Sequence, residues 1–276
     1  MPLLAVTYVK GRPGVTTTAL GLAVTASRVL RPVLLECDPA GGDLIRRHDL
    51  AAAPSMVDLA AAARTAAHPA HSPVAIDVFR TATQLVKVGE AAVAVVVAPA
   101  GGAQTRAALP ELTGAGRAVL APADRIVLAD CGRLDSGSLV WPLLGLADAV
   151  IVVARASADE LAHLRVQLGD LVDAGIGRVV VLLAACGVYP PAEVAHVLQQ
   201  YVAEQLARDP HTVVVLGPLP HDRRAAAVLD GELEAGRRWR RLPLLAAYAG
   251  VWRDLTQLLP AVTTAWSSDD PQGVRP

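Results

Sequence analysis

Cysteine is scarce in this chain: Cys37, Cys131 and Cys186 are the only three, and they stand far apart. They form no CxxC pair, and no histidine stands at zinc spacing from them. That excludes a disulfide framework and a zinc finger, and the thiols read as buried groups in a reducing cytosol. Net charge is lacking too, at a formal −1. With no global field to attract nucleic acid or an acidic ligand, any charge-based function must come from a local cluster. Long apolar runs are also missing. No segment approaches the roughly 18 apolar residues of a membrane-spanning helix. The N-terminal run Leu3–Val9 meets Lys10 and a Gly/Pro loop, unlike a secretory leader. These absences predict a soluble, cytoplasmic protein. There is no HExxH zinc motif and no GxSxG nucleophile elbow, and His68 and His71 flank prolines in a loop.

What is present is apolar bulk. The chain has 276 residues, 53% of them hydrophobic, with alanine, valine and leucine dominating. That supplies the core of one large α/β domain, predicted over residues 1–260, with a polar, frayed tail at 261–276. Seven short runs have the composition of strands: Leu3–Val9, Pro32–Cys37, Val93–Ala98, Arg125–Ala129, Ala149–Ala154, Arg178–Ala184 and Thr212–Leu216. They are nearly continuous in apolar residues, without polar alternation, which marks strands covered on both faces as in a parallel sheet. Helical stretches separate them, at Thr16–Leu30, Ala158–Ala174 and Pro191–Ala207. The predicted fold is a doubly wound, mostly parallel sheet of about seven strands with helices on both faces. Residues 51–84 are expected to hold a helix and a loop, with room for an edge strand. An amphipathic helix is expected at the end, with Leu244, Tyr248, Val251, Leu255, Leu258 and Leu259 on one side.

The first strand runs into Lys10-Gly11-Arg12-Pro13-Gly14-Val15-Thr16-Thr17 and then a helix. Successive backbone N–H groups of such a loop wrap a phosphate at the helix N-terminus, and its glycines let the backbone come close. The ordinary phosphate-loop pattern, GxxxxGK followed by Ser or Thr, needs lysine where this chain has Val15. After the second strand comes Glu36-Cys37-Asp38-Pro39-Ala40-Gly41-Gly42-Asp43, and after the fourth comes Asp130-Cys131-Gly132. Each motif is common alone. All three in order, at the ends of predicted strands, follow the rule that open α/β sheets bind ligands at strand carboxyl ends.

Together these residues resemble the MinD/ParA family of P-loop ATPases, whose deviant loop reads KGGxGK followed by Ser or Thr. The resemblance implies a P-loop NTPase fold binding ATP (or ADP) and Mg2+. It gives Lys10 the role of the signature lysine that reaches a dimer partner's nucleotide. Gly11, Gly14 and Thr17 match loop positions around the phosphates, and Thr16 matches the magnesium ligand. Arg12, Pro13 and Val15 complete the loop, with Arg12 replacing a glycine and Val15 the lysine that binds phosphate in cis. Asp38 matches the residue that positions the attacking water, and Glu36 stands where the family has another Asp. Asp130 would hold magnesium through water, with Gly132 near the γ-phosphate. Gly217–Arg224 is similar to the loop flanking the adenine, with Pro220 nearest the base, although Ala184–Gly187 lacks the family's amide.

Losing one transition-state cation costs roughly 100–1000-fold in rate. Two roles stand open for Arg12: a guanidinium that swings to the phosphates, or one that faces solvent or a partner. The expected function is a nucleotide-dependent dimerising switch that positions or partitions a cellular cargo, with weak or absent ATP hydrolysis. The alternative is a non-catalytic scaffold or localisation protein, like atypical relatives in pilus assembly. The expected partners are a second copy of the chain and an unidentified protein. The cluster Arg237-Arg238-Trp239-Arg240-Arg241 leaves non-specific DNA binding open. Residues 244–259 carry only Arg253, which weighs against membrane contact and favours docking of the last helix on the sheet.

Overall fold

The computed structural model describes residues 2–11, 14–26, 30–66, 77–122, 124–184 and 187–259. Arg12, Pro13, His68, His71, Cys186 and the tail at 261–276 lie outside them. Strand β1 (Leu3–Tyr8) leads through the phosphate loop into helix α1 (Val15–Ala26), then β2 (Val33–Glu36), the one-turn α2 (Leu44–Arg47) and α3 (Met56–Ala66). A hairpin of β3 (Gln84–Val88) and β4 (Ala91–Val96) precedes α4 (Ala103–Ala115), α5 (Arg117–Leu120) and β5 (Val127–Arg133). The chain continues through α6 (Trp141–Leu144), β6 (Ala149–Arg155), α7 (Ala158–Asp173), β7 (Val179–Ala184) and α8 (Pro191–Glu204). It closes with β8 (Val213–Leu219), α9 (Arg223–Leu229) and α10 (Pro243–Leu258).

The strands form one sheet of eight, in the order β3-β4-β2-β5-β1-β6-β7-β8. Every neighbouring pair is parallel except the antiparallel β3–β4 edge pair. The eighth strand is β3, one more than the seven expected. Its burial alternates, with Val86 and Val88 covered and Leu85 and Lys87 exposed, so it lacks the continuous apolar run of its neighbours. An edge strand needs only one covered face, and Lys87 on its outer face discourages pairing with another chain.

The two faces of the sheet carry two separate cores, and successive residues of each strand alternate between them. Leu3 and Ala5 of β1 enter one core and Leu4 and Val6 the other; Val150 and Val152 of β6 part in the same way from Ile151 and Val153. The first core is covered by α3, α4, α6, α7 and α8, the second by α1, α9 and α10. The terminal helix α10 docks on the body of the fold, chiefly on α1 and with β8 beside it. The Tyr248 ring lies over Gly21, where any Cβ would overlap it, and Trp252 Nε1 donates to the Leu22 carbonyl at 2.8 Å. No helix among the described residues is long and apolar enough to cross a membrane.

Candidate functional site

The order β2-β5-β1 brings the three sequence motifs together. In register, Asp130 of β5 sits beside Val6 of β1 on one side and Glu36 of β2 on the other. Strand β5 is longer than its apolar run: it continues through Asp130, Cys131 and Gly132 to Arg133, because the parallel ladder with β1 carries it on. Gly132 has φ +61, and a Cβ there would overlap the Asp38 carboxyl. Only glycine lets the two motifs touch at this point. The hydroxyl of Thr7 ties the same turn down by donating to the Gly132 carbonyl at 2.8 Å.

Asp130 is 2% exposed, and burial pushes its carboxyl up to about 6. The Thr16 hydroxyl and the Gly132 N–H act in the opposite direction by hydrogen bonding to it. Burial also raises Asp38, whose Oδ1 accepts the Ala40 N–H at 2.8 Å. A buried carboxylate beside a hydroxyl is a donor set suited to Mg2+, which keeps several waters and takes further oxygens from substrate phosphates. Among the described residues no cluster of three or more His, Cys, Asp or Glu side chains forms a metal cage. Thr16 and Asp130 would supply part of the oxygen shell of such an ion.

Glu36 has a structural part. It is 2% exposed, and its oxygens accept the backbone N–H groups of Asp43 (2.8 Å), Leu44 (3.0 Å) and Ala98 (2.9 Å). It clamps the Asp38 loop and the end of β4 to the sheet. Burial pushes its carboxyl up to about 7 despite those three donors.

The phosphate loop turns on Gly11 (φ +77) and Gly14 (φ +80). Glu160 and Arg155 stand close over Gly11, and Glu160 accepts from Arg155 Nε at 2.6 Å. Lys10 is exposed at the rim, its Nζ 2.8 Å from Nε2 of His163 on α7. Val15 is 7% exposed and packs in the apolar core under α1 with Val6 and Ala19. Its side chain is spent on the fold. Thr17 donates to Oδ1 of Asp230 at 2.9 Å and accepts from Arg47 at 3.2 Å. Arg47 and Asp230 belong to no motif, and only the approach of the segment after α9 to α2 reveals them.

Other expectations change. Gly217 to Leu219 extend β8 rather than forming a loop, and Pro218 is tolerated because β8 is an edge strand. Asp222 caps α9 by accepting the Ala225 N–H at 2.9 Å, with the half-buried Pro220 just before it. In the arginine cluster, Trp239 is buried and donates to Glu90 Oε2 at 2.6 Å, while Arg240 pairs with Glu90 Oε1 at 2.9 Å. The tryptophan N–H, with Arg240, holds Glu90 down to about 2. Two of the five residues thus fasten the β3–β4 turn, leaving Arg237, Arg238 and Arg241 exposed.

No family model matches the sequence, and no curated protein sequence does either. Solved structures do match. A ParA family ATPase from Chlorobium tepidum shares 14% identity over 90% of this chain and 96% of its own, with a TM-score of 0.65. The septum site-determining protein MinD of Pyrococcus horikoshii, solved with Mg-ADP, shares 14% over 93% and 96%, with a TM-score of 0.66. McdA of Cyanothece, solved with ATP, shares 15% over 93% and 96%, with a TM-score of 0.63. With its mostly parallel sheet and its motifs at the strand carboxyl ends, the chain has the P-loop NTPase fold of the MinD and ParA ATPases.

Proposed function

We propose that this protein is a nucleotide-dependent dimerising switch that positions or partitions a cellular cargo in the cytoplasm, with weak or absent ATP hydrolysis. The observation that carries the reading is the convergence of Thr16, Asp130, Asp38 and Gly132 at the mouth of a glycine-rich loop. Thr16 and Asp130 would hold Mg2+, which when bound neutralises charge on the phosphate oxygens. Gly11, Gly14 and Gly132 leave room for the backbone to approach those phosphates. Asp38 would orient the attacking water, and the exposed Lys10 would serve the nucleotide of a second copy. The relatives solved with Mg-ADP and with ATP support this choice of ligand.

One observation favours the non-catalytic scaffold as a second reading. Val15 lies in the core, and Thr17 is already engaged by Asp230 and Arg47. With no cis lysine to place charge on the transferring phosphoryl group, hydrolysis loses more than binding does. Calorimetric titration with Mg-ADP and Mg-ATP, together with phosphate release, separates the readings. A switch binds nucleotide and dimerises only with it bound, as sedimentation would read, and any hydrolysis it retains is lost in Asp38→Ala. An oligomeric state that nucleotide leaves unchanged, with phosphate release equal to that variant's, marks a scaffold. No binding by wild type or by Val15→Lys would refute the nucleotide reading.

A further inference from the structure

The missing cation and the occupied hydroxyl point to one device. Arg47 closes α2, the one-turn helix that follows the Asp38 loop. Its Nη1 lies 2.5 Å from Asp230 Oδ1 and 3.2 Å from Thr17 Oγ1, and its Nη2 lies 3.1 Å from Asp43 Oδ2. The side chains of Arg47 and Asp230 are 27% and 28% exposed, so water screens them only in part. Their meeting is built in. Gly231, with φ +75, is pressed on the Arg47 carbonyl so closely that a Cβ would overlap it, which fixes Asp230 opposite the guanidinium.

We propose that Arg47 is the phosphate-binding cation that stands in for the lysine absent at Val15, and that Asp230 is an internal carboxylate that occupies Arg47 and Thr17 until a nucleotide displaces it. The proposal rests on the nucleotide reading above and adds a self-competing latch to it. The chemistry is an exchange of acceptors. A phosphate oxygen can take the Thr17 O–H and the Arg47 N–H groups that Asp230 holds, and a guanidinium suits such paired contacts better than an ammonium. While Asp230 stays, it opposes an incoming polyphosphate twice, by repelling it and by holding its cation. Because Glu36 anchors both the Asp38 loop and the start of α2, release of Arg47 is felt by the residue expected to position water.

The test is calorimetric affinity for Mg-ADP and for a non-hydrolysable ATP analogue, with the full chain and thermal unfolding as a folding control. Breaking or freeing one charge-assisted hydrogen bond changes affinity about tenfold. Asp230→Asn is therefore expected to bind about tenfold tighter than wild type. Arg47→Ala should bind at least about tenfold weaker, with Arg47→Lys between. An ion pair that only supported the fold would weaken binding whichever partner was changed, so the opposite signs are diagnostic. If Arg47→Ala unfolds, Asp230→Asn decides alone. Wild-type binding that Asp230→Asn leaves unchanged or weakens overturns the latch and spares the nucleotide reading. Binding by Asp230→Asn where wild type shows none supports both. Failure of wild type, Asp230→Asn and Val15→Lys alike overturns both.

Discussion

Glu36 lies in the sheet beside Asp130, and its own contribution to stability falls as pH rises, against the opposite trend of His48, whose burial lowers its imidazole. Its carboxyl sits at about 7 in the folded chain against an ordinary 4.5. A raised carboxyl favours the fold fully below the ordinary value, where both states hold the proton. That contribution is lost as pH climbs through the folded value, because the unfolded chain ionises first. The window is thus pH 4.5 to 7, and the loss amounts to about 3 kcal/mol. Asp130, raised to about 6, adds in the same direction. Urea denaturation on either side of that window should show lower stability on the alkaline side, with a shallower dependence in Glu36→Gln. A pH dependence in Glu36→Gln equal to that of wild type would refute the assignment. Magnesium at Asp130 would reverse that residue's share by favouring its ionised form.

Helix α10 holds α1, and α1 carries the phosphate loop. The joint is tight at Gly21, which has no side chain because the Tyr248 ring fills the space. The ring is almost fully buried, and its hydroxyl reaches Thr18 Oγ1 at 3.3 Å. Gly21→Ala should therefore destabilise the protein by about 1–3 kcal/mol through overpacking, although alanine favours helices. A shift of the urea midpoint to lower concentration with an unchanged slope would show it. An equal or higher midpoint would mean that the α1–α10 joint is looser than described. The same element shows what a pattern reading can reach. The apolar stripe of residues 244–259 is plain at helical spacing, but spacing names no partner, and the sheet is the natural expectation. The partners are α1 and, on the sheet itself, β8, because α10 lies beside α1 on the same face of the sheet. The β3 edge strand is hidden for the opposite reason: Leu85 and Lys87 face outward, so Gln84–Val88 never shows a continuous apolar run.

Across the whole molecule, one eight-stranded sheet carries both cores, and β1, β5 and β6 contribute to each. Neither core can be lost without exposing the back of the other. Unfolding is expected to be one cooperative transition over the region predicted as a single domain, with calorimetric and van't Hoff enthalpies equal. Two resolved transitions would break that domain assignment. The phosphate loop, the Asp38 loop and the Asp130 strand meet because the sheet order, not the chain order, places β5 between β1 and β2.

The sequence alone determined the parallel sheet, since doubly covered strands leave continuous apolar runs, and it marked the three motifs, since glycine and aspartate stand out at strand ends. It also showed that Val15 cannot supply a cation. Only the tertiary structure decided where that valine goes, what Glu36 holds, and that Arg47 and Asp230 meet at Thr17. Those facts depend on approaches between residues far apart in the chain, and such approaches leave no periodicity to read. A lone arginine on a one-turn helix and an aspartate after another helix look like ordinary surface residues until the fold places them 2.5 Å apart.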